Sequence, residues 1–328
     1  MSFDSVLGVV VIGRNEGERL RVCLTSLLQR VAPSGVVYVD SGSTDDSVLL
    51  AKRLGCGVVN LDMQIPFTAA RARNEGLAHA LASMVALKYV QFVDGDCEVR
   101  EGWLNAAAAF LEANASVAAV CGRRRERAPH ASVYNALCDM EWDTSVGQTK
   151  SCGGDVLMRV AAIQAVGGYR ADLIAGEEPE LCVRLRAVGW NVWRLDAEMT
   201  WHDADIHRFS QWWNRNRRAG YAYAEGAFLH GGAPERHCVR NAARALVWGA
   251  VLPGLIVAGA SWKPEILSLV FLYPIQIFRL AMSSPLKGGI AWQRAYFLTL
   301  GKFAEVQGIV RFVVNKLQNK AGKLIEYK

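Results

Sequence analysis

The sequence lacks closely spaced cysteine pairs. Its eight cysteines are scattered and contain no Cys-x-x-Cys pair: Cys23, Cys56, Cys97, Cys121, Cys138, Cys152, Cys182 and Cys238. A structural zinc site needs clustered thiols, and disulfide frameworks are typical of short secreted chains. In a chain of 328 residues we therefore expect free, mostly buried thiols in a reducing compartment.

Several other signals are missing as well. The first residues carry no basic segment before an apolar run, so no signal peptide is expected. No GxGxxG motif follows the first apolar run, which argues against a dinucleotide-dependent dehydrogenase. The glycine-rich arginine signature of a sugar-nucleotide pyrophosphorylase is absent too. There is no repeat or low-complexity tract, and 52% of the residues are hydrophobic, so one large core or two smaller ones are predicted.

Apolar runs alternate with segments of helical spacing in the first hundred residues. The runs cover residues 8–12, 36–39, 57–60 and 89–93, and the predicted helices cover residues 15–28, 46–54 and 69–82. Such alternation predicts a parallel, doubly wound α/β sheet, in which ligands bind beyond the carboxyl ends of the strands. Further on, we predict a strand over residues 117–121, a basic irregular loop over 123–131 and a strand over 190–195.

Polar clusters follow three of these strands, at residues 13–16, 40–43 and 94–96. Asp94 and Asp96 are separated by one glycine, and two such carboxylates can share a hard divalent cation, Mg²⁺ or Mn²⁺. The alternative for them is a solvated turn. Asp40 could accept hydrogen bonds from a base or a ribose hydroxyl, or it could belong to a helix-capping loop.

Candidate residues also lie on predicted helices and later strands. Arg71 and Arg73 begin the third helix, where one arginine could face a diphosphate or make a solvent salt bridge. The acidic run at residues 177–180 opens another helix; the helix dipole explains it, but clustered carboxylates also raise the pKa of at least one member, as a general base requires. His202 could be a metal ligand, a phosphate contact or a surface residue.

The last third of the chain is different in character. Residues 245–262 and 266–278 contain no charge, and only Lys263, Pro264 and Glu265 separate them. This pattern predicts a helical hairpin that crosses or dips into a bilayer, or else a cap on a soluble domain. An amphipathic helix follows, with eight basic residues against two acids: Lys287, Arg294, Lys302, Arg311, Lys316, Lys320, Lys323 and Lys328. This segment favours an anionic lipid surface over nucleic acid.

Taken in order across roughly residues 6–202, six segments resemble glycosyltransferase family 2. They are VVVIGRNEGERLRVCLTSLL, VVYVDSGSTDDSV, ARARNEGLAHA, VQFVDGDCEV, CGGDVLMRVAAIQAVGGY and GEEPELCVRLRAVGW. The resemblance implies the GT-A fold, a Rossmann-like mixed sheet flanked by helices, and a nucleotide-diphosphate sugar as donor. It also implies a divalent cation, Mg²⁺ or Mn²⁺.

The resemblance also assigns roles to individual residues. It implies Glu178 as the catalytic base. It implies that the metal is held by Asp96, with Asp94 and His202, and that the nucleotide sugar contacts Asp40, Arg73, Asp94, Gly13, Asn15 and Ser41. The acceptor would lie against Asp155, Gly154 and Trp142, where Asp155 could instead cap a helix and Trp142 could be an aromatic core residue.

Two departures from the family pattern shape the expected reaction. Glu178 stands where the family more often has aspartate, and residues 210–220 lack the QxxRW pattern of processive synthases. We therefore expect inverting transfer of one sugar per encounter, to a glycan, glycolipid or lipid-linked acceptor in cell-surface polysaccharide synthesis. The alternatives are a polyprenyl-phosphate glycosyltransferase and a catalytically idle membrane-bound scaffold.

The same interpretation predicts how the chain is divided. Residues 1–240 would form the catalytic domain, with a nucleotide-binding half up to about residue 100 and an acceptor half over 101–240. Residues 241–328 would attach the protein to the cytoplasmic face of the membrane.

Overall fold

The computed structural model describes residues 6–320 and 322–326, and Lys328, in the predicted basic tail, lies outside them. The chain forms two compact units, Met1–Asp205 and Ile206–Lys328. The predicted boundary at residue 240 therefore falls inside the second unit. The reason is that the long helix beginning at Phe209 packs against the helix that begins at Gly289, within the same unit.

The first unit is built on a mixed sheet of nine strands. They are β1 (Leu7–Gly13), β2 (Val36–Asp40), β3 (Gly57–Asn60), β4 (Tyr89–Asp94), β5 (Cys97–Val99), β6 (Val117–Glu126), β7 (Gly147–Gln148), β8 (Val156–Arg159) and β9 (Asn191–His202). Their order is β3-β2-β1-β4-β8-β6-β9-β5, and β7 pairs with β9. The strands β3, β2, β1 and β4 are parallel, as the alternation predicts, whereas β8 is antiparallel to both β4 and β6.

Seven helices accompany this sheet in the described part of the first unit: α1 (Glu18–Leu28), α2 (Ser47–Arg53), α3 (Ala69–Ser83), α4 (Trp103–Ala113), α5 (Val133–Glu141), α6 (Val160–Ala165) and α7 (Glu177–Ala187). The central strand β1 is buried on both faces. Val9 and Val11 belong to the core cluster that contains Leu24 of α1, and Val10 belongs to the one that contains Leu77 of α3. Because successive side chains of a strand point to opposite faces, a continuous apolar run fits a strand covered on both sides.

The structure corrects the first part of the predicted irregular basic loop, residues 123–126, whereas residues 127–131 are irregular as predicted. Strand β6 continues to Glu126, and its residues 123–126 pair in parallel with the end of β9, which runs to His202 instead of stopping at residue 195. The sequence pattern failed because three successive arginines do not look like a sheet. They are accommodated there because acidic side chains from other elements, among them Asp139 and Asp155, form ion pairs with them.

The second unit is helical. Its elements are α8 (Phe209–His230), α9 (Val239–Leu246), a π-helical turn (Val247–Val251), α10 (Leu252–Ala260), a 3₁₀ segment (Pro264–Phe271), α11 (Leu272–Met282) and α12 (Gly289–Leu317). The helix from Val239 to Ala260 is continuous through Pro253. Pro253 has no N–H group to donate to the carbonyl oxygen of residue 249. In the π-helical turn before it, the backbone hydrogen bonds span five residues instead of four.

Helices α8 and α12 approach each other closely where glycines face backbone. A methyl group on Gly220 would lie 1.9 Å from the carbonyl oxygen of Glu305, and one on Gly308 would lie 2.0 Å from that of Arg217. Neither position accepts a larger side chain without separating the helices. Small residues that let helix backbones touch are typical of membrane helix pairs, although they also occur in soluble bundles.

Candidate active site

The acidic residues predicted from the sequence lie at one edge of the parallel sheet. Strand β1 stands between β2 and β4, with Gly13 opposite Asp40 on one side and Ile12 opposite Asp94 on the other. The Gly95 N–H donates to the carbonyl oxygen of Ile12, at 2.8 Å, so the turn after β4 is tied to the end of β1. The carboxyl ends of three strands therefore meet where an α/β sheet binds its ligands.

The loops after β1 and β2 are joined by hydrogen bonds. The Asn15 N–H donates to Ser43 Oγ (2.9 Å), and Asn15 Oδ1 accepts from the Thr44 N–H (2.7 Å). The Gly17 N–H donates to Asp45 Oδ2 at 3.1 Å. Asn15 has a φ of 56°, a left-handed conformation that asparagine tolerates better than most residues. These bonds hold the two loops in a fixed relation.

Asp40 organises the turn that follows its strand. Its Oδ2 accepts from the N–H groups of Gly42 (3.0 Å) and Ser43 (2.8 Å), and its Oδ1 accepts from the Tyr38 hydroxyl (2.9 Å). Ser41 is buried, and its N–H donates to the carbonyl oxygen of Gly13 at 3.0 Å. These contacts belong to the turn and not to the start of α2, whose N-cap is Asp46. Contact of Asp40 with a nucleotide base remains a prediction.

Arg73 on α3 connects the end of β4 to helix α7. Its Nη2 donates to Asp94 Oδ1 and its Nη1 to Glu177 Oε1, both at 2.7 Å. The guanidinium also lies over the Tyr169 ring, 5.6 Å from the ring centroid. Only 2% of the residue is exposed. The other arginine considered from the sequence, Arg71, donates to the carbonyl oxygens of Ile65 and Asp62, at 2.9 Å each.

Gly154 and Asp155 lie directly behind this ion pair. A methyl group on Gly154 would come within 2.6 Å of Asp94 Oδ2 and 2.9 Å of Arg73 Nη2, so the backbone must approach closely here. Asp155 is 0% exposed. Its Oδ1 accepts from the Asp94 N–H (3.0 Å) and its Oδ2 from the Thr200 hydroxyl (2.8 Å). In this state Asp155 positions the end of β4, and its predicted acceptor contact stays untested.

Arg124 belongs to this site, and the sequence analysis missed it. Its Nη2 lies 2.9 Å from Asp155 Oδ2 and 3.7 Å from Asp94 Oδ2, and its guanidinium packs 5.5 Å from the Trp142 ring centroid. The residue lies on the part of β6 for which the sequence pattern predicts a loop. Three successive arginines give no local indication of a strand, so the sequence contains no signal for Arg124.

A group of three potential metal ligands is formed by Asp96, Cys97 and His202. All three are buried, and their ligand atoms lie within 4.8 Å of one another. Asp96 Oδ1 and His202 Nε2 are 3.5 Å apart, which is too long for a hydrogen bond. Two ligands bound to one ion at about 2.1 Å would be separated by roughly this distance. Asp94, also predicted to bind the metal, lies outside this group in the described structure and faces Arg73 and Arg124 instead.

The surroundings of His202 also fit a cation. Its Nδ1 is buried without a hydrogen-bond partner and lies 4.0 Å from Glu126 Oε2. Metal-binding histidines commonly direct the second ring nitrogen at a carboxylate. The Trp142 ring meets the imidazole edge-on, with 4.7 Å between centroids. Carboxylate and imidazole suit Mn²⁺, whereas the thiol of Cys97 is too soft a ligand for Mg²⁺.

Glu178 lies in the first turn of α7 and is 1% exposed. Its Oε1 accepts from the Cys152 N–H (2.8 Å) and the Cys182 thiol (2.9 Å), and its Oε2 accepts from the Gly153 N–H (2.8 Å). Burial raises the pKa of the Glu178 carboxyl above its ordinary value. A base that binds protons more readily than a solvated glutamate is the kind that proton abstraction near neutral pH requires.

Part of the chain matches a known protein family. Residues 8–141 match the model of glycosyl transferase family 2. The N-terminal part of the chain is therefore similar to family 2 glycosyltransferases. The match covers β1 through α5, and it therefore includes Asp40, Asp94 and Asp96 but ends before Glu178 and His202.

Two known proteins show how far the chain resembles others. It is 29% identical over 93 residues to the 4,4'-diaponeurosporenoate glycosyltransferase of Staphylococcus aureus, which is 27% of this chain and 24% of that protein. The aligned part thus spans about a quarter of that relative. The chain also resembles the mannosyltransferase PcManGT from Pyrobaculum calidifontis, solved with GDP-Man and Mn²⁺. There the TM-score is 0.63 and the identity 19%, over 94% of this chain and 87% of the other, which supports the GT-A-like fold.

Replacing Arg73 by methionine should destabilise the first unit far more than replacing Arg71 by methionine. Removal of the buried guanidinium leaves Asp94 and Glu177 without their shared cation, a loss typically worth about 3–5 kcal/mol, whereas Arg71 is a partly exposed residue on the same helix. Thermal and denaturant unfolding of the purified proteins measure this difference. Equal stability of the two variants would show that the bridge does not hold the site together.

Proposed function

We propose that this glycosyltransferase transfers one sugar per encounter, with inversion, from a nucleotide-diphosphate sugar to a hydroxyl of a glycan, glycolipid or lipid-linked acceptor. The observation that carries the proposal is the bridge made by Arg73, which joins Asp94 at the donor edge to Glu177, the neighbour of Glu178. A carboxylate that can take a proton is thereby held beside the acids expected to bind the donor.

The donor would bind across the carboxyl ends of β1, β2 and β4. In the proposed arrangement the base and ribose lie near Asp40, Ser41 and the loop of Gly13 and Asn15, and the sugar lies near Asp94. The hydrogen bonds between the two loops support this, because the loops present a preformed surface that need not be ordered when the donor binds. PcManGT, which shares the fold, was solved with GDP-Man, so GDP-mannose is the first donor to test.

A divalent cation, Mg²⁺ or Mn²⁺, would neutralise charge that develops on the departing nucleoside diphosphate. Asp96 and His202 are the residues proposed to hold it, and Asp94 faces the same edge from the end of β4. Their chemistry favours Mn²⁺, the ion present in the PcManGT complex.

Proton removal is assigned to Glu178. One of its carboxylate oxygens takes the proton of the acceptor hydroxyl while the hydroxyl oxygen forms a bond to the anomeric carbon. The bond between that carbon and the diphosphate oxygen breaks on the opposite face, so the configuration inverts. Gly154, Asp155 and Trp142 are proposed to border the acceptor, with Trp142 as the ring on which a sugar face can pack.

Membrane association is proposed through the second unit. The helices Val239–Ala260 and Pro264–Met282 are long and apolar enough to cross a bilayer, with mean hydropathies of 1.6 and 1.5 and only 11% and 6% of the residues buried. Large apolar side chains such as Val257, Phe271 and Phe278 are exposed on them. We place the enzyme at the cytoplasmic face, in the synthesis of cell-surface polysaccharide. The same two helices favour a polyprenyl phosphate as second candidate acceptor.

The catalytically idle scaffold makes a different prediction, because such a protein has no need for a complete set of acids. Asp40, Asp94, Asp96 and Glu178 are all present, and the sheet edge and α7 hold them in place. Screening nucleotide sugars for divalent-dependent release of a nucleoside diphosphate tests the activity directly. Absence of release with every donor, in a folded and lipid-supplied preparation, would favour the scaffold.

Replacing Asp96 by asparagine should weaken Mn²⁺ binding at least tenfold, since a neutral amide is a poorer ligand than a carboxylate. Isothermal titration with MnCl₂ measures this in the absence of any sugar. Asp62→Asn is the matched control, because Asp62 is exposed and lies outside the three-ligand group. Unchanged Mn²⁺ affinity in the Asp96 variant would remove Asp96 from the metal site.

Replacing Glu178 by glutamine should leave donor binding within about threefold and reduce transfer by at least 100-fold, the lower range for loss of a general base. Glu177→Gln is the informative comparison, because Glu177 is ionised against Arg73 and is not proposed to take the proton. Donor affinity and single-turnover transfer are measured on both. If Glu177→Gln abolishes transfer while Glu178→Gln retains it, the roles of the two residues are reversed.

The full-length protein should stay in the membrane pellet after washing with high salt and with alkaline carbonate, and detergent should release it. Burial of the two apolar helices in hydrocarbon resists both washes, whereas binding through the basic surface alone is screened by salt. Fractionation followed by immunodetection measures the distribution. Recovery in the soluble fraction without detergent would refute membrane insertion.

A further inference from the structure

Thiols surround the carboxylate of Glu178, and the proposed function gives them no role. Cys182 lies one helical turn after Glu178 on α7 and is fully buried. Cys152 lies on the loop that donates to Glu178, and Cys121 of β6 is close enough to Cys152 to interact with its thiol. None of the eight cysteines, all of which fall within the described residues, forms a disulfide.

The contact between Cys182 and Glu178 is the closest of these. The sulfur lies 2.9 Å from Glu178 Oε1, and the thiol donates because a carboxylate can only accept. Oε1 therefore receives two hydrogen bonds, from this thiol and from the Cys152 N–H, whereas Oε2 receives one, from the Gly153 N–H. Among the contacts of the described residues, Oε2 keeps more capacity to accept a further hydrogen.

Cysteine suits this position because it donates without carrying charge. Burial raises the pKa of the Cys182 thiol well above its ordinary value, and nearby Glu178 raises it further, so the thiol keeps its proton at any working pH. Burial raises the pKa of Glu178 because it favours the protonated carboxyl. The hydrogen bond from the Cys182 thiol lowers this pKa, because it stabilises the ionised carboxylate. A lysine here would form a full ion pair and make Glu178 a weaker base.

The titratable groups around Glu178 are either neutral or paired with a charge of opposite sign, so a shift in the acid limb of the rate can be assigned to Glu178. Tyr169 and the thiols of Cys152 and Cys182 have raised pKa values, chiefly because of burial, and stay neutral. From α7, Glu177 is charged but paired with Arg73 of α3. Arg186 lies further along the same helix and acts on Cys182. On the side of β6, the remaining titratable neighbour is the thiol of Cys121, which interacts with Cys152.

We infer that Cys182 is a positioning residue for the general base: its thiol holds Oε1 of Glu178, so that Oε2 is the oxygen that takes the proton from the acceptor hydroxyl. This inference rests on the proposed function of Glu178. It adds a residue that touches neither the donor nor the cation, and it assigns different tasks to the two oxygens of one carboxylate.

The test compares Cys182→Val, which fills a similar volume without a donor, with Cys182→Ser, which keeps one. Transfer is followed across the pH range with Mn²⁺ present and saturating donor. Loss of a hydrogen bond to a charged group should lower the rate on the acid side by about tenfold in Cys182→Val, with a smaller loss above neutrality. The acid limb should move to higher pH, because Glu178 then protonates more easily. Cys182→Ser should restore the wild-type profile.

Cys56→Val is the matched control, because Cys56 is a buried cysteine beside α2 whose pKa burial raises to about 11, with no recorded contact to the site. Thermal unfolding of all variants shows how much stability each substitution costs. A purely structural role predicts an equal fall in rate at every pH, without rescue by serine. That outcome, or an unchanged profile in Cys182→Val, would overturn the inference.

Failure of the proposed function gives a different result. If Glu178→Gln transfers at the wild-type rate, Glu178 is not the base, and the positioning role falls with it whatever Cys182 does. If Glu178→Gln is inactive but Cys182→Val keeps the wild-type pH profile, the base assignment stands and only the inference about Cys182 is wrong. The two variants therefore separate the two claims.

Discussion

The buried guanidinium of Arg73 is the interaction on which the arrangement of the site depends. Taking a charge out of water is costly, and the cost is offset here by Asp94 and Glu177, each 2.7 Å from one end of the guanidinium, and by the ring of Tyr169. Because these partners come from β4 and α7, the ion pairs fix a helix start against a strand end. Gly154 is required for the same reason, since any side chain there would meet both members of the pair.

The acids near this bridge have different partners. Asp94 and Asp155 are met by arginines, and Asp96 is met by His202. Glu178 is held only by neutral donors in its recorded contacts, two backbone N–H groups and one thiol. Burial raises the pKa of the Glu178 carboxyl. Burial also raises the pKa of the Asp94 carboxyl, although Arg73 and Arg124 oppose that effect. The fold thus places a carboxylate with neutral donors near carboxylates with cationic partners.

The second unit poses a different physical problem. Its two apolar helices leave large side chains exposed that a protein in water would bury, while α8 and α12 pack so closely that glycines are needed at their contacts. Within this unit, α8 and α12 are therefore closely packed, whereas the two apolar helices leave apolar surface uncovered. The proposed lipid environment would remove this contradiction, because exposed apolar surface costs nothing in hydrocarbon.

The sequence alone was sufficient for the parallel strands, the placement of acids at their ends, the two apolar helices and the resemblance to glycosyltransferase family 2. These features depend on local periodicity and on motifs in order along the chain, which need no knowledge of distant partners. It failed for residues 123–126, because arginines in a strand become acceptable only when Asp139 and Asp155 are known to face them. Likewise, Arg73 and Glu177 are 104 positions apart, and nothing local to either predicts their ion pair. The tertiary structure alone decided which acid meets a cation and which meets neutral donors, because the field at a buried carboxylate is set by whatever the fold brings within a few ångströms of it.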